Sequence, residues 1–144
     1  MISQTIIMIY DSYLDEVSKA ASDEARSLSG LSRLLTGKPS KTEELLPAFD
    51  EKLQNEMNHL PEQNPDSSTV RELAEWMLEQ AVAYRDKPRI KYSFMAVQRH
   101  LIPLVGFLNT EDAAFLAKKF ETTVPRRDRF PVIEELIKKL KKQS

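Results

Sequence analysis

The sequence contains no cysteine among its 144 residues and only 3 glycines. The lack of cysteine excludes disulfide bonds, thiolate metal sites and a cysteine nucleophile. The chain also has no glycine-rich loop of the kind that holds nucleotide phosphates. Its 2 histidines offer few ligands to a transition metal, so we predict neither a metal nor a cofactor.

Long apolar runs and strand-like alternation are also missing from the chain. No stretch reaches the roughly 18 consecutive apolar residues of a membrane-spanning helix. The apolar opening lacks the basic start of a secretory signal and soon reaches Asp11, Asp15 and Glu16. We therefore predict a soluble cytoplasmic protein that does not associate with membranes.

Apolar residues recur instead at intervals of three and four, which predicts helices. With 144 residues, of which 41% are hydrophobic, the chain has the common size of one domain and can bury a core. We predict an all-α bundle of about six or seven helices that forms a single domain over residues 1–144.

The most apolar segment, residues 90–108, is predicted to be the central helix of the bundle. A helix that is apolar around most of its circumference is usually buried. Pro103 should bend this helix, because proline cannot donate the backbone hydrogen bond. The main apolar stripe consists of Ile90, Phe94, Val97, Leu101, Val105 and Leu108.

Polar residues predict where three other helices begin. Ser22 can cap a second helix, although the first two helices could also form one bent rod. Thr69 and Glu72 have the spacing of a capping box, and Thr110 is expected to cap a later helix.

The charges of the chain are divided unevenly. Residues 1–84 contain 15 acidic and 7 basic residues, a net charge of -8, whereas residues 85–144 contain 7 acidic and 14 basic residues, a net charge of +7. The two parts could neutralise each other within one molecule or between two subunits. Alternatively, the basic part could bind an external polyanion, most obviously a nucleic acid.

Two short segments carry the candidate polyanion-binding residues. The first, "RDKPRIKY" at 85–92, alternates basic residues around a helix break, and the second, "VPRRDRFP" at 124–131, places three arginines between two prolines. Guanidinium groups on a stiffened loop can bind phosphate or carboxylate, and a solvated connector is the alternative interpretation. The candidates are Arg85, Lys87, Arg89, Lys91, Arg126, Arg127 and Arg129.

A row of carboxylates suggests a different chemistry. Glu72, Glu75 and Glu79 follow one another at intervals of three and four, as in the magnesium sites of some all-helical nucleotide pyrophosphohydrolases. Such sites need a second carboxylate pair on a neighbouring helix, and the sequence shows no clear pair. A solvated helix face is therefore the alternative interpretation.

The sequence has no HExxH motif, and no serine and acid of obvious triad character accompany its histidines. Their absence favours a non-catalytic interaction protein that acts through charged helix faces, by self-association as a homodimer or by docking on a protein partner. A nucleic-acid-associated protein that uses the C-terminal basic residues is the first alternative. A magnesium-dependent nucleotide phosphohydrolase is the second alternative, and the only enzymatic one.

Overall fold

A computed structural model of the chain describes residues 2–26 and 44–144. Within these ranges the chain forms six α-helices and no strand, which confirms the predicted all-α fold. No helix in the described ranges is both long and apolar enough to cross a membrane. The helices are α1 (Gln4–Arg26), α2 (Leu46–Met57), α3 (Ser67–Ala83), α4 (Pro88–Ala96), α5 (Thr110–Thr123) and α6 (Pro131–Gln143).

The contacts of the chain cluster in two compact units, one within Ser3–Asn55 and one within Glu56–Ser144. In the first unit, the ring of Phe49 on α2 stacks on Tyr13 of α1 with centroids 4.3 Å apart. It also meets Tyr10 edge-on at 5.2 Å. All three aromatic side chains are buried, so they hold α1 against α2. A single domain over residues 1–144 stays a prediction.

The second unit contains α3 to α6 and the predicted central segment. Every residue of the predicted apolar stripe between residues 90 and 108 is buried, which confirms that this segment lies in the core. Phe94, Leu101 and Phe120 are almost completely inaccessible to solvent. The segment contacts α3 and α6, and these two helices in turn contact α5.

The central segment is not one bent α-helix, however. The α-helix α4 ends at Ala96, and an 11-residue 3-10 helix, Val97–Phe107, continues from it. Such helices rarely exceed about four residues. Pro103 lies inside this one, and in an α-helix its ring would clash with the carbonyl group of Arg99. The chain therefore changes from α to 3-10 winding at Val97, before it reaches Pro103. The predicted bend of an α-helix at the proline does not occur.

Two of the predicted caps are wrong because a neighbouring residue does the capping. The side chain of Asp66 accepts a hydrogen bond from the amide of Thr69 at 2.9 Å, so Asp66 begins α3. Asn109 accepts from the amide of Asp112 at 2.8 Å and begins α5 one residue before Thr110. In both cases a strong capping residue lies closer to the loop.

The predicted cap at Ser22 is also wrong. Helix α1 continues through Ser22 as far as Arg26, so this serine lies within a helix. Most of the predicted second helix falls in residues 27–43, which lie outside the described residues.

Candidate functional site

The two basic segments line one cleft in the unit Glu56–Ser144. The end of α3 and the turn after it, α4, and residues 123–128 all contribute to its lining. The cleft has a volume of about 240 Å³. We call it the basic cleft, and its lining residues are Ala81, Val82, Arg85, Asp86, Lys91, Met95, Thr123, Pro125, Arg127 and Asp128.

A tight turn presents the first basic segment. Helix α3 ends at Ala83, and the amide of Lys87 donates to the carbonyl oxygen of Tyr84 at 2.9 Å before Pro88 begins α4. The Tyr84 ring packs edge-on against buried Phe94, with centroids 5.6 Å apart. The turn is thus anchored to the core while Arg85 and Lys87 stay exposed.

The second basic segment has a defined conformation because it is bonded at its ends. Arg126–Asp128 forms a 3-10 turn in which the amide of Asp128 donates to the carbonyl oxygen of Pro125 at 2.9 Å. The guanidinium group of Arg129 donates to the carbonyl oxygens of Val124 at 3.0 Å and Glu121 at 2.7 Å. Arg129 therefore caps the C-terminal end of α5.

An ion pair joins the two segments across the cleft. Lys91 Nζ lies 3.0 Å from Asp128 Oδ1, and the two side chains are only 19% and 13% exposed. Next to this pair, the ring of Tyr92 meets that of Phe130 at 5.6 Å, and Tyr92 is 53% exposed. These contacts hold the second basic segment on α4 and leave the Tyr92 ring exposed where the two segments meet.

The seven predicted polyanion-binding residues therefore have three different positions. Arg85, Lys91 and Arg127 line the cleft. Lys87, Arg89 and Arg126 are exposed and lie within two positions of a cleft residue in the chain. Arg129 is engaged by backbone carbonyl groups. We call the cleft with Lys87, Arg89 and Arg126 the basic surface.

Sequence reasoning missed the two carboxylates of the cleft, Asp86 and Asp128. Both lie within the basic segments, and each is next to an arginine in the chain. The pairing of Asp128 with Lys91 spans 37 positions and depends on the packing of α4 against the loop. The one sequence signal for these carboxylates was the aspartate within each basic segment, which indicated that the site would carry charges of both signs.

The carboxylate row on α3 meets cations instead of a second carboxylate pair. Glu75 accepts hydrogen bonds from Arg71 and Lys119, each at 3.0 Å, and Glu79 lies 3.5 Å from Lys119. Glu72 is exposed. Within residues 2–26 and 44–144, no group of three or more acidic or histidine side chains is placed to hold a metal ion.

This network links the acidic part of the sequence to the basic part. Burial alone would raise the pKa of Glu75, but the hydrogen bonds from Arg71 and Lys119 outweigh it and hold that pKa below its ordinary value. Hydrogen bonding to Glu75 in turn raises the pKa of Lys119. On the same face, Arg71 binds Asp112 at 3.0 Å and covers the ring of Phe115, 3.8 Å from its centroid.

Comparisons with protein-family models, with curated proteins and with solved structures found no match to this chain.

Proposed function

We propose that this protein is a non-catalytic interaction protein that docks an acidic segment of a protein partner on its basic surface. The observation that supports this proposal is that Arg85 and Arg127, 42 positions apart, line one cleft. Neither forms an ion pair within the described part of the chain, so both guanidinium groups can bind carboxylates.

The composition of the surface favours a protein over a nucleic acid. Asp86 and Asp128 lie among the cations and would repel a phosphate backbone. Arg129 and Lys91 are engaged in internal contacts and contribute less to a row of phosphate contacts. Exposed Tyr92, which packs against Phe130, adds an aromatic side chain where the two basic segments meet, a composition typical of protein interfaces.

The phosphohydrolase alternative receives less support. Both carboxylate oxygens of Glu75 already accept hydrogen bonds from cationic side chains. A magnesium ion at this position would have to displace Arg71 and Lys119 from the carboxylate.

Fluorescence anisotropy tests the proposal with a labelled glutamate-rich peptide, a lysine-rich peptide and a mixed-sequence oligonucleotide. We expect the glutamate-rich peptide to bind, and its affinity to fall as salt is raised, because exposed charges are screened. The double variant Arg126→Glu/Arg127→Glu should abolish binding. The matched control Lys118→Glu/Lys138→Glu makes the same change of charge at exposed sites on α5 and α6 and should retain binding.

Three results would contradict the proposal. Failure of the glutamate-rich peptide to bind at low salt removes acidic docking. Equal loss of binding in both double variants assigns the effect to total charge instead of to the basic surface. Tighter binding of the oligonucleotide than of the peptide favours the nucleic-acid alternative.

A separate measurement, sedimentation of the protein alone, shows whether a second copy of the chain is the partner.

A further inference from the structure

We infer that the basic cleft is a subsite for a single carboxylate side chain, glutamate or aspartate, of the docked partner. This inference rests on the proposed function and specifies which chemical group enters the cleft. Arg85 and Arg127 would hold the carboxylate, and the apolar side chains of the lining would contact its methylene groups.

The charge of the lining favours a carboxylate over a phosphate. Lys91 and Asp128 neutralise each other at 3.0 Å, which leaves Arg85 and Arg127 opposed by Asp86 alone. The cleft therefore carries a net charge of one positive unit, and one carboxylate neutralises it. A phosphate carries a charge of about -1.5 to -2 at neutral pH and would leave an excess of negative charge beside Asp86.

The size of the cleft favours a side chain over a free metabolite. Its volume of about 240 Å³ lies below the roughly 300–1,000 Å³ of most small-molecule sites. Ala81, Val82, Met95 and Pro125 line it together with the charged residues. Such a lining suits a short aliphatic stem that ends in a charged group.

The ion pair between Lys91 and Asp128 positions one of the arginines. It holds the loop on α4, while Arg129 fixes the loop to the end of α5. Arg127 directly precedes both attachment points and lies inside the 3-10 turn Arg126–Asp128, so its backbone is ordered before a ligand arrives. Ordering before binding reduces the entropy lost when the ligand binds.

The test compares neutral variants inside and outside the cleft. We expect Arg85→Gln and Arg127→Gln each to weaken binding of a labelled peptide with one central glutamate by about tenfold or more, because each removes a charge-assisted hydrogen bond. Lys87→Gln and Arg126→Gln remove the same charge from positions of the basic surface outside the cleft and should weaken binding by less than about threefold. The matched control Lys118→Gln, at an exposed site outside the basic surface, should leave affinity unchanged.

Two further peptides define the chemistry of the group. When the central glutamate of the peptide is replaced by glutamine, the wild-type protein and Arg127→Gln should bind the peptide with nearly the same affinity. A peptide with phosphoserine at the same position should bind the wild-type protein more weakly than the glutamate peptide. The variant Asp86→Asn raises the charge of the cleft by one unit and should improve binding of the phosphoserine peptide more than that of the glutamate peptide.

The possible failures are distinguishable. If the glutamate peptide binds but all four neutral variants of the basic surface weaken it equally, docking on the basic surface survives and the carboxylate subsite is overturned. If the wild-type protein prefers phosphoserine, the cleft is a phosphate site and the carboxylate assignment is overturned. If no acidic peptide binds the wild-type protein, both the proposed function and the subsite are rejected. Circular dichroism of each variant verifies that its helices are intact.

Discussion

The side chain of Arg129 connects the end of α5 to the loop that follows it. Its guanidinium group donates to the carbonyl oxygens of Glu121 and Val124, which have no partners further along the helix. This single side chain thereby fixes where the chain leaves α5. Arg126 and Arg127, in the loop that it secures, are exposed.

Asn109 has a comparable role at the start of α5. Its side chain accepts from the amide of Asp112 at 2.8 Å. We expect Asn109→Ala to lower the free energy of unfolding by about 1 kcal/mol, because the amide loses its partner. Asn109→Ser retains an acceptor and should cost much less, as urea denaturation followed by circular dichroism can measure. Equal costs for the two variants would show that Asn109 stabilises the protein in some other way.

At the scale of elements, the 3-10 helix Val97–Phe107 determines how the unit Glu56–Ser144 is packed. It is longer than most helices of its type, and its buried side chains include Leu101, Leu104 and Val105. Gln143 at the end of α6 donates to the carbonyl oxygen of Leu108 at 2.9 Å and so secures the end of this segment.

Gly106 is not needed for the conformation of this element. Apart from its chain neighbours and the backbone of its own helix, a Cβ atom added there would meet no heavy atom within 4 Å, and the residue is exposed. We expect Gly106→Ala to raise the free energy of unfolding by about 0.4–1 kcal/mol, because alanine has fewer conformations in the unfolded chain. Thermal and urea unfolding measure the change.

The reverse substitution at an ordinary helical site is the control for this prediction. Ala114→Gly, at an exposed position in α5, should lower stability by about 0.5–1 kcal/mol. If Gly106→Ala is destabilising while Ala114→Gly behaves as expected, the 3-10 helix depends on Gly106 in a way that its surroundings do not explain.

The extent of the helices could be predicted better than their details. Apolar intervals placed the buried stripe of residues 90–108 because burial acts on every turn of a helix. Caps were missed where another capping residue lies within the preceding three positions, as at Asp66 and Asn109. The switch to 3-10 winding at Val97 was also missed, because no local pattern distinguishes the two helix types there.

At the scale of the whole molecule, the two compact units differ less in net charge than the two parts of the sequence do. The unit Ser3–Asn55 has 9 acidic and 6 basic residues, and the unit Glu56–Ser144 has 13 acidic and 15 basic residues. Residue 84, where the sequence charge changes sign, lies inside the second unit. There Lys119 binds Glu75, which agrees with neutralisation within one molecule.

The basic cleft could not be predicted from the sequence. Tertiary packing determines which basic residues line it, and the spacing of residues along the chain does not show that packing.

Stability should depend on pH through the carboxylates of the second unit. Hydrogen bonds, chiefly from Thr69 and Ser67 respectively, hold the pKa values of Asp66 and Asp112 below 3.8. Hydrogen bonds outweigh burial at Glu75 and hold its pKa below 4.5. Because these values are depressed in the folded state, their contribution is complete above the ordinary values and is lost as pH falls through the folded values.

We therefore expect the free energy of unfolding to decline as pH falls below about 4.5. The fluorescence of Trp76, the only tryptophan, follows urea unfolding of this unit. The control Asp112→Asn should be less stable at pH 6 and show a shallower acid decline, because one titrating group is gone. A wild-type stability that stays constant or rises from pH 5 to pH 3 would contradict this assignment.

The residues that line the basic cleft come partly from before and partly from after the long 3-10 helix in the chain. During synthesis, Arg85 leaves the ribosome well before Arg127, and the intervening segment must fold before the two can face each other. Affinity for an acidic ligand would then appear only when the second unit is complete. Ligand capture by stalled nascent chains of increasing length could report the moment at which that folding step is finished.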